Sequence, residues 1–128
     1  MIMKEFCNTI RLFLLQDVQS FRENTMTMKP GRSFTILQVD DFTVTPKSET
    51  SEAGLLYNIE EDITIDKVGS SIASTYKIQR SSILQLETYP GHEPVFIGTM
   101  EWPALVSITT HLNKDTLHIK SKMIQSPL

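Results

Sequence analysis

Short runs of alternating apolar and polar residues dominate the chain between Gly31 and Lys122. The runs are rich in Val, Ile, Thr, Phe and Tyr, and turn-forming residues separate them at fairly regular intervals. Such runs are typical of β-strands, in which successive side chains point to opposite faces. The pattern therefore predicts a mainly β fold, either an antiparallel β-sandwich or a barrel.

Turn signals delimit the predicted strands, and the last two strands are expected to form a hairpin across the turn at 113–115. In the first predicted strand, residues 33–39, we expect Phe34, Ile36 and Val39 to point inward. In the third predicted strand, residues 55–65, apolar side chains fall mostly on odd-numbered positions and polar side chains mostly on even-numbered ones. This alternation predicts a sheet that is covered on one side only. Gly69 begins a predicted flexible connection with Ser70 and Ser71. The predicted strands are residues 33–39, 42–45, 55–65, 76–79, 83–89, 95–98, 104–110 and 116–120.

The segment between Pro46 and Leu55 differs from its surroundings, because KSETSEAG contains no large apolar residue. Such a segment gains little free energy from burial. We therefore predict that residues 47–54 form a loop or a protruding arm.

The N-terminal segment fits two patterns. Met3, Phe6, Ile10, Phe13 and Leu14 have helical spacing, whereas the sequence around Arg11 also alternates as a strand does. The pattern alone predicts either a helix over roughly residues 3–21 or a strand over roughly 9–15.

The composition indicates one folded unit. A chain of 128 residues with 40% hydrophobic residues can bury a single core, so we predict one domain, 1–128. Within it we expect an N-terminal segment (1–29), a β core (30–122) and a tail (123–128). No stretch approaches the ~20 apolar residues of a membrane-spanning helix, and the N-terminus lacks the cleavage site of a signal peptide. We expect no membrane partner.

A net charge of -3 lacks the basic footprint of most nucleic-acid-binding proteins, so sequence-specific binding to a nucleic acid is not expected. Cys7 is the only cysteine, which excludes an intramolecular disulfide. His111 and His118 flank the predicted final hairpin with Asp115 between them, but zinc requires three or four converging ligands. We predict no metal site and treat these imidazoles as surface groups.

Catalytic motifs are absent from the sequence. The acidic clusters at 40–41 and 60–62 are expected in a solvated turn and on an outward strand face, because adjacent strand residues point to opposite faces. Neither a G-x-S-x-G nucleophile elbow nor a phosphate-binding glycine loop occurs. We predict no cofactor and no enzymatic activity.

The stretch FIGTMEWPALVSI interrupts an apolar run with the only tryptophan, Trp102. Pro103 restricts Trp102 to extended conformations, and Gly98 allows torsion angles that other residues avoid. The segment GTMEWP is therefore a predicted connection between two strands. Its tryptophan either covers the end of the β core as a lid, the interpretation we favour, or anchors a partner surface.

The order of these motifs resembles that of small neck and tail structural proteins of tailed bacteriophages and prophages. The resemblance covers about residues 30–122 and rests on the segment 53–57 (AGLLY), on Ile97-Gly98-Thr99, on Glu101 and Pro103, and on the final hairpin as far as Ile119. It implies a β-sandwich or barrel that assembles as a ring or as stacked rings. It also favours a strand over a helix in the N-terminal segment.

The resemblance implies a virion protein made in the bacterial host cytoplasm, whose partners are copies of itself and neighbouring virion proteins. The 47–54 arm and an exposed strand edge would contact other subunits by adding strands to a sheet. The candidate assembly residues are Ser48, Glu49, Thr50, Ser51, Glu52 and Trp102.

Two other functions fit the same sequence. One is a monomeric β-module that binds a carbohydrate or a protein through Trp102, Tyr89 and His92. The other is an enzyme whose site lies in a cleft that the sequence does not indicate, for which His111 and Asp115 would be the first residues to test.

Overall fold

The protein folds mainly as antiparallel β-sheet, as the alternating pattern predicted. The structure is a computed structural model of the chain, and it describes residues 4–6, 9–23, 25–39, 42–44, 46–51, 54–87 and 94–123. The strands are β1 (Lys4–Phe6), β2 (Thr9–Leu14), β3 (Val18–Arg22), β4 (Thr25–Met28), β5 (Thr35–Gln38), β6 (Phe42–Val44), β7 (Lys47–Ser51), β8 (Gly54–Ile65), β9 (Arg80–Leu86), β10 (Val95–Ile97), β11 (Ala104–Thr110) and β12 (Asp115–Met123). The described residues also form one α-helix, α1 (Ser70–Thr75), and a 3-10 turn (Leu15–Asp17).

The largest sheet has the strand order β5-β2-β9-β11-β12-β8-β7, and β10 pairs separately with β9. Neighbouring strands are antiparallel throughout. The predicted final hairpin is confirmed, since β11 pairs with β12 from Leu105↔Lys120 to Thr110↔Asp115.

The β5 end of this sheet approaches the last residues of β8, which β7 does not cover, without forming a closed barrel. Val39, which follows β5, forms an isolated antiparallel bridge with Ile65 at the end of β8. The N–H of Asp66 donates a 2.8 Å hydrogen bond to the carbonyl of Gln38 at the same point. Beyond this contact β6 pairs with β1 instead of with β8. The architecture is therefore that of an open β-sandwich rather than a barrel.

One hydrophobic core fills the space inside the curled sheet. Every strand from β8 to β12 contributes to it, and Ile59, Ile63 and Ile65 confirm the apolar face predicted for β8. Val68 and Ile72 pack against the core from α1 and the segment before it. The carbonyl of the buried Tyr76 accepts a 2.8 Å hydrogen bond from the N–H of Ile108, which holds the end of the helix on the sheet.

A smaller apolar cluster lies around Phe13, Val18 and Ile83. Residues of the β3–β4 hairpin pack against it, and the rings of Phe21 and Phe96 lie 4.8 Å apart at their centroids. This hairpin therefore shields apolar side chains of β2 and β9 that do not enter the main core.

The N-terminal segment forms a strand, and the helix over residues 3–21 is wrong for the described part of that segment. Residues of β2 pair with β5 on one side and with β9 on the other. Ile10 and Leu12 enter the main core, whereas Phe13 enters the smaller cluster. Pairing on both sides decides between two patterns that the sequence allows equally.

Three further predictions are corrected. Residues 76–79 are not a strand, because Tyr76 ends α1 and the chain then bends. The predicted flexible connection at Gly69 instead begins that helix. Phe34 and Ile36 are exposed, while Leu37 is buried, because pairing with β2 turns the opposite parity of β5 inward. The turn predicted at 89–92 lies outside the described residues.

Candidate assembly surface

The segment predicted as a loop or an arm is an edge strand of the sheet. β7 pairs with the first part of β8 from Lys47↔Asn58 to Ser51↔Gly54. The loop interpretation is therefore wrong for 47–51, because backbone pairing stabilises a strand that buries no large side chain. The pairing of β12 with β8 ends at Met123↔Tyr57, so the β7–β8 hairpin extends beyond β12.

The outer edge of β7 is open among the described residues, since β7 stands at one end of the strand order. An edge strand presents unpaired N–H and C=O groups that can pair with another chain. Four of the predicted assembly residues, Ser48, Glu49, Thr50 and Ser51, belong to this strand, and Glu52 lies outside the described residues.

The side chains of the hairpin are largely exposed. Lys47, Ser48, Glu49 and Thr50 are exposed, and Leu55 on β8 is 52% exposed although the alternation predicted an inward side chain. The hairpin extends past the core, which explains why this parity is apolar but not buried. On the face of the sheet opposite to Leu55, Glu49 forms an ion pair with Lys122 of β12 at 3.4 Å.

Trp102 lies in a tight turn between β10 and β11. The N–H of Thr99 donates to the carbonyl of Trp102 at 3.0 Å, and the N–H of Trp102 donates to Thr99 Oγ1 at 2.9 Å. Gly98 enters the turn with φ +95°, and a Cβ there would lie 2.9 Å from the backbone nitrogen of Ala104. The sequence therefore predicted this connection correctly.

Trp102 is 44% exposed and is not among the buried or partly buried residues of either hydrophobic cluster. This exposure favours the other interpretation, a residue that can contact a partner, over a lid that closes the core. Met100 in the same turn is 37% exposed, so the turn presents two apolar side chains to solvent.

Strand direction brings the two groups of candidate residues to one end of the sheet. β12 lies between β8 and β11 and runs antiparallel to both, so the start of β8, the end of β12 and the start of β11 share an end. The β7–β8 hairpin extends from that end, and the Trp102 turn leads directly into β11. We call this end, made of 47–51, 54–56 and 99–103, the hairpin end.

The outer face of β8, β12 and β11 is mostly polar, although Leu105 is exposed on it, and it carries His118, one of the predicted surface histidines. His118 Nδ1 lies 2.6 Å from Asp62 Oδ1, and its Nε2 lies 2.8 Å from Thr109 Oγ1. A second cross-strand pair joins Lys120 to Glu60 at 3.5 Å. These contacts link three neighbouring strands, and the acidic residues of 60–62 lie on a strand as predicted.

A hydroxyl, an imidazole and a carboxylate in this order are the components of a nucleophile with its base and its orienting acid. Such a site also needs hydrogen-bond donors aimed at a developing oxyanion. Here β12 pairs with a strand on each side, so its backbone N–H groups near His118 are committed to the sheet. What these contacts do in the structure is to join the three strands through side chains of the outer face.

Asp115 makes a buried junction at the opposite end of the sheet. Its carboxylate is fully buried and accepts hydrogen bonds from Lys67 Nζ at 2.7 Å, from Val68 N–H at 2.9 Å and from His111 N–H at 3.3 Å. Lys67 Nζ also donates to the carbonyl of His111 at 2.5 Å. The junction ties the segment before α1 to the turn between β11 and β12.

The electrostatics of this junction favour the ionised carboxylate. Desolvation by burial acts to raise the pKa of Asp115, but hydrogen bonds from Lys67, Val68 and His111 outweigh it and lower the pKa below its ordinary value. Sequence reasoning placed Asp115 only in a turn, because residues 67 and 115 are far apart along the chain and no local motif relates them.

Neither a metal site nor a membrane-spanning helix is found in the described part of the chain. There, no group of three or more His, Cys, Asp and Glu residues is arranged to hold a metal ion. None of the described helical segments has the length and apolar character needed to cross a bilayer. His92 and Tyr89, proposed for a recognition patch, lie outside the described residues.

Comparison of the chain with known proteins gives no match to a family model, to a curated protein or to a solved structure. The fold and the hairpin end therefore carry the functional argument.

Proposed function

We propose that this protein is a non-enzymatic structural component of a tailed-phage virion that acts by subunit assembly. In this proposal copies of the chain form a ring or stacked rings in the neck or tail and contact neighbouring virion proteins. The phage assignment rests on the resemblance in residues 53–57 and 97–103. The assembly role rests on the geometry of the hairpin end.

The observation that carries the assembly role is the edge of β7, which is open among the described residues, on a hairpin that extends past the end of β12. A strand added to this edge would form main-chain hydrogen bonds without any rearrangement of the core. Leu55 and Trp102 are 52% and 44% exposed at the same end and offer apolar area to a partner. Leu55 lies opposite Thr50 of the edge strand, and an exposed apolar side chain next to an open strand edge is a feature that monomeric proteins usually avoid.

The remainder of the fold suits a mechanical role. The main core draws side chains from both halves of the curled sheet, and α1 packs over it. The Asp115 junction fixes the segment before α1 at the other end. A subunit of this kind transmits load as one body, while the hairpin end supplies the contact.

Native mass spectrometry and negative-stain microscopy of the full chain test the proposal. We expect oligomers of defined stoichiometry, seen as rings in projection. A protein that remains monomeric at about 100 μM, well above the Kd of most specific interfaces, contradicts the assembly role. In that case the exposed Trp102 would favour the monomeric binding module.

Substitution at Trp102 gives a second measurement. Trp102→Ala should leave the melting temperature of the subunit within about 2 °C, because the indole lies outside both clusters and exposed positions contribute little to stability. If the indole is an interface anchor, the same change should weaken assembly by about 2 kcal/mol, roughly thirtyfold in Kd. Met100→Ala, in the same turn, is the matched control for loss of a smaller exposed group.

A further inference from the structure

We propose that β7 pairs with β7 of a second copy across a two-fold axis, with Lys47 of each copy opposite Glu49 of the other. This inference rests on the proposed assembly role and names the contact that the hairpin makes. Two-fold contacts are the commonest between identical subunits, and back-to-back rings also require them.

The first argument is the direction of the backbone groups. In an antiparallel pair, residues alternate between those whose N–H and C=O groups face the partner strand and those whose groups face away. Ser51↔Gly54 is the last pair of the hairpin, and the N–H and C=O groups of such a closing pair face each other. Because the direction alternates along the strand, the N–H and C=O groups of Ser48 and Thr50 face away from β8. No strand of the described residues pairs with this edge of β7, so these groups are available to a second copy.

The second argument is where the strand begins. When Ser48 lies opposite Ser48 of the other copy, Thr50 lies opposite Pro46. Pro46 has no N–H to donate, but its carbonyl can accept a hydrogen bond from the N–H of Thr50. The paired segment therefore ends at Pro46. The contact then spans 46–50 in each copy, and all five residues are described by the structure.

The third argument is charge. In this register Lys47 and Glu49 of opposite copies are direct cross-strand neighbours on one face, and the two-fold axis repeats the pair. Glu49 already lies 3.4 Å from Lys122 on that face. In the pair of subunits each Glu49 would therefore lie between two lysines. The register centred on Glu49 would instead place two glutamates opposite each other.

Charge reversal tests the register. Lys47→Glu places glutamates opposite each other in both symmetric pairs, and Glu49→Lys places lysines opposite each other. Each single variant should dimerise at least about tenfold more weakly than the wild type in sedimentation velocity at low salt. An equimolar mixture of the two variants should form a one-to-one heterodimer, because each pair then has opposite charges. Native mass spectrometry resolves this species by its mass.

The controls change the same charges on the same face away from the edge. Glu60→Lys and Lys120→Glu lie on central strands and should leave dimerisation unchanged. The double variant with both Lys47→Glu and Glu49→Lys restores opposite charges across the contact and should dimerise more tightly than either single variant, although the new lysine at position 49 then faces Lys122 of its own subunit. Preference for the heterodimer should weaken as salt is raised.

The outcomes separate the two proposals. A wild-type chain that stays monomeric overturns both the assembly role and this contact. A wild-type chain that assembles, but whose single variants assemble equally well or whose mixture shows no heterodimer preference, overturns the β7 contact and leaves the assembly role standing.

Discussion

Removal of the Asp115 carboxylate should destabilise the protein more than any other single charge removal described here. The side chain is fully buried and accepts three hydrogen bonds, at 2.7, 2.9 and 3.3 Å. Hydrogen bonds to a charged group contribute about 1.5–3 kcal/mol each. The Lys67 bond counts for little, because the Lys67 side chain is 43% exposed and its ammonium can return to water, and the His111 bond is long. Asp115→Ala should therefore cost about 2–4 kcal/mol.

Urea unfolding and thermal melts measure this cost at a fixed protein concentration, because the proposed assembly would also shift the apparent stability. For a domain of this size the loss corresponds to a fall in melting temperature of about 10 °C. Asp115→Asn keeps one acceptor oxygen and should cost about half as much. Asp66→Asn is the matched control, because its ion pair with Lys114 is more than 40% exposed on both sides, and its change should stay below about 0.5 kcal/mol.

The pH dependence has a defined sign. The pKa of Asp115 is lower in the folded protein than its ordinary value of 3.8, so the unfolded chain binds its proton first as the pH falls. The stability that the ionised carboxylate contributes is therefore fully present above pH 3.8 and is lost as the pH falls through the folded pKa. The difference between wild type and Asp115→Asn should be constant near neutral pH and shrink in this acid range.

Equal destabilisation by Asp115→Ala and Asp66→Asn would refute the reasoning, because it would mean that burial and hydrogen bonding of the carboxylate are irrelevant. A difference between wild type and Asp115→Asn that grows on acidification would refute the sign of the pKa change.

Two further predictions concern the turn before β11 and the hairpin. Gly98→Ala should lower the free energy of unfolding in urea by about 2 kcal/mol or more, because φ is +95° and the new Cβ would lie 2.9 Å from Ala104 N and 3.1 Å from Ser82 O. The control is Gly69→Ala, whose new Cβ would meet open space and which should cost under about 1 kcal/mol. Deletion of residues 48–52 should leave a cooperative melt, since SETSE contains no apolar residue, but should weaken any assembly seen in native mass spectrometry. Assembly that is unchanged by the deletion would exclude β7 from the contact.

Local pattern alone determined the class of fold and several of its parts. Alternation in β8 identified Ile59, Ile63 and Ile65 as core residues, since the side-chain period of a strand is two. Turn residues at 113–115 predicted the final hairpin, and Gly98 with Pro103 predicted the preceding connection. These features depend on torsion preferences and on side chains a few residues apart, which a single sequence displays directly.

Only the tertiary structure decided the features that depend on distant residues. β2 is a strand because β5 and β9 lie on either side of it, although its apolar spacing also fits a helix. Residues 47–51 form a strand because β8 pairs with their backbone groups, which the side-chain pattern cannot show. Asp115 meets Lys67 because folding brings together residues that no local motif relates. The partners of backbone groups and of buried charges come from distant parts of the chain and are known only once it has folded, whereas hydrophobic periodicity is a property of neighbouring residues in the sequence.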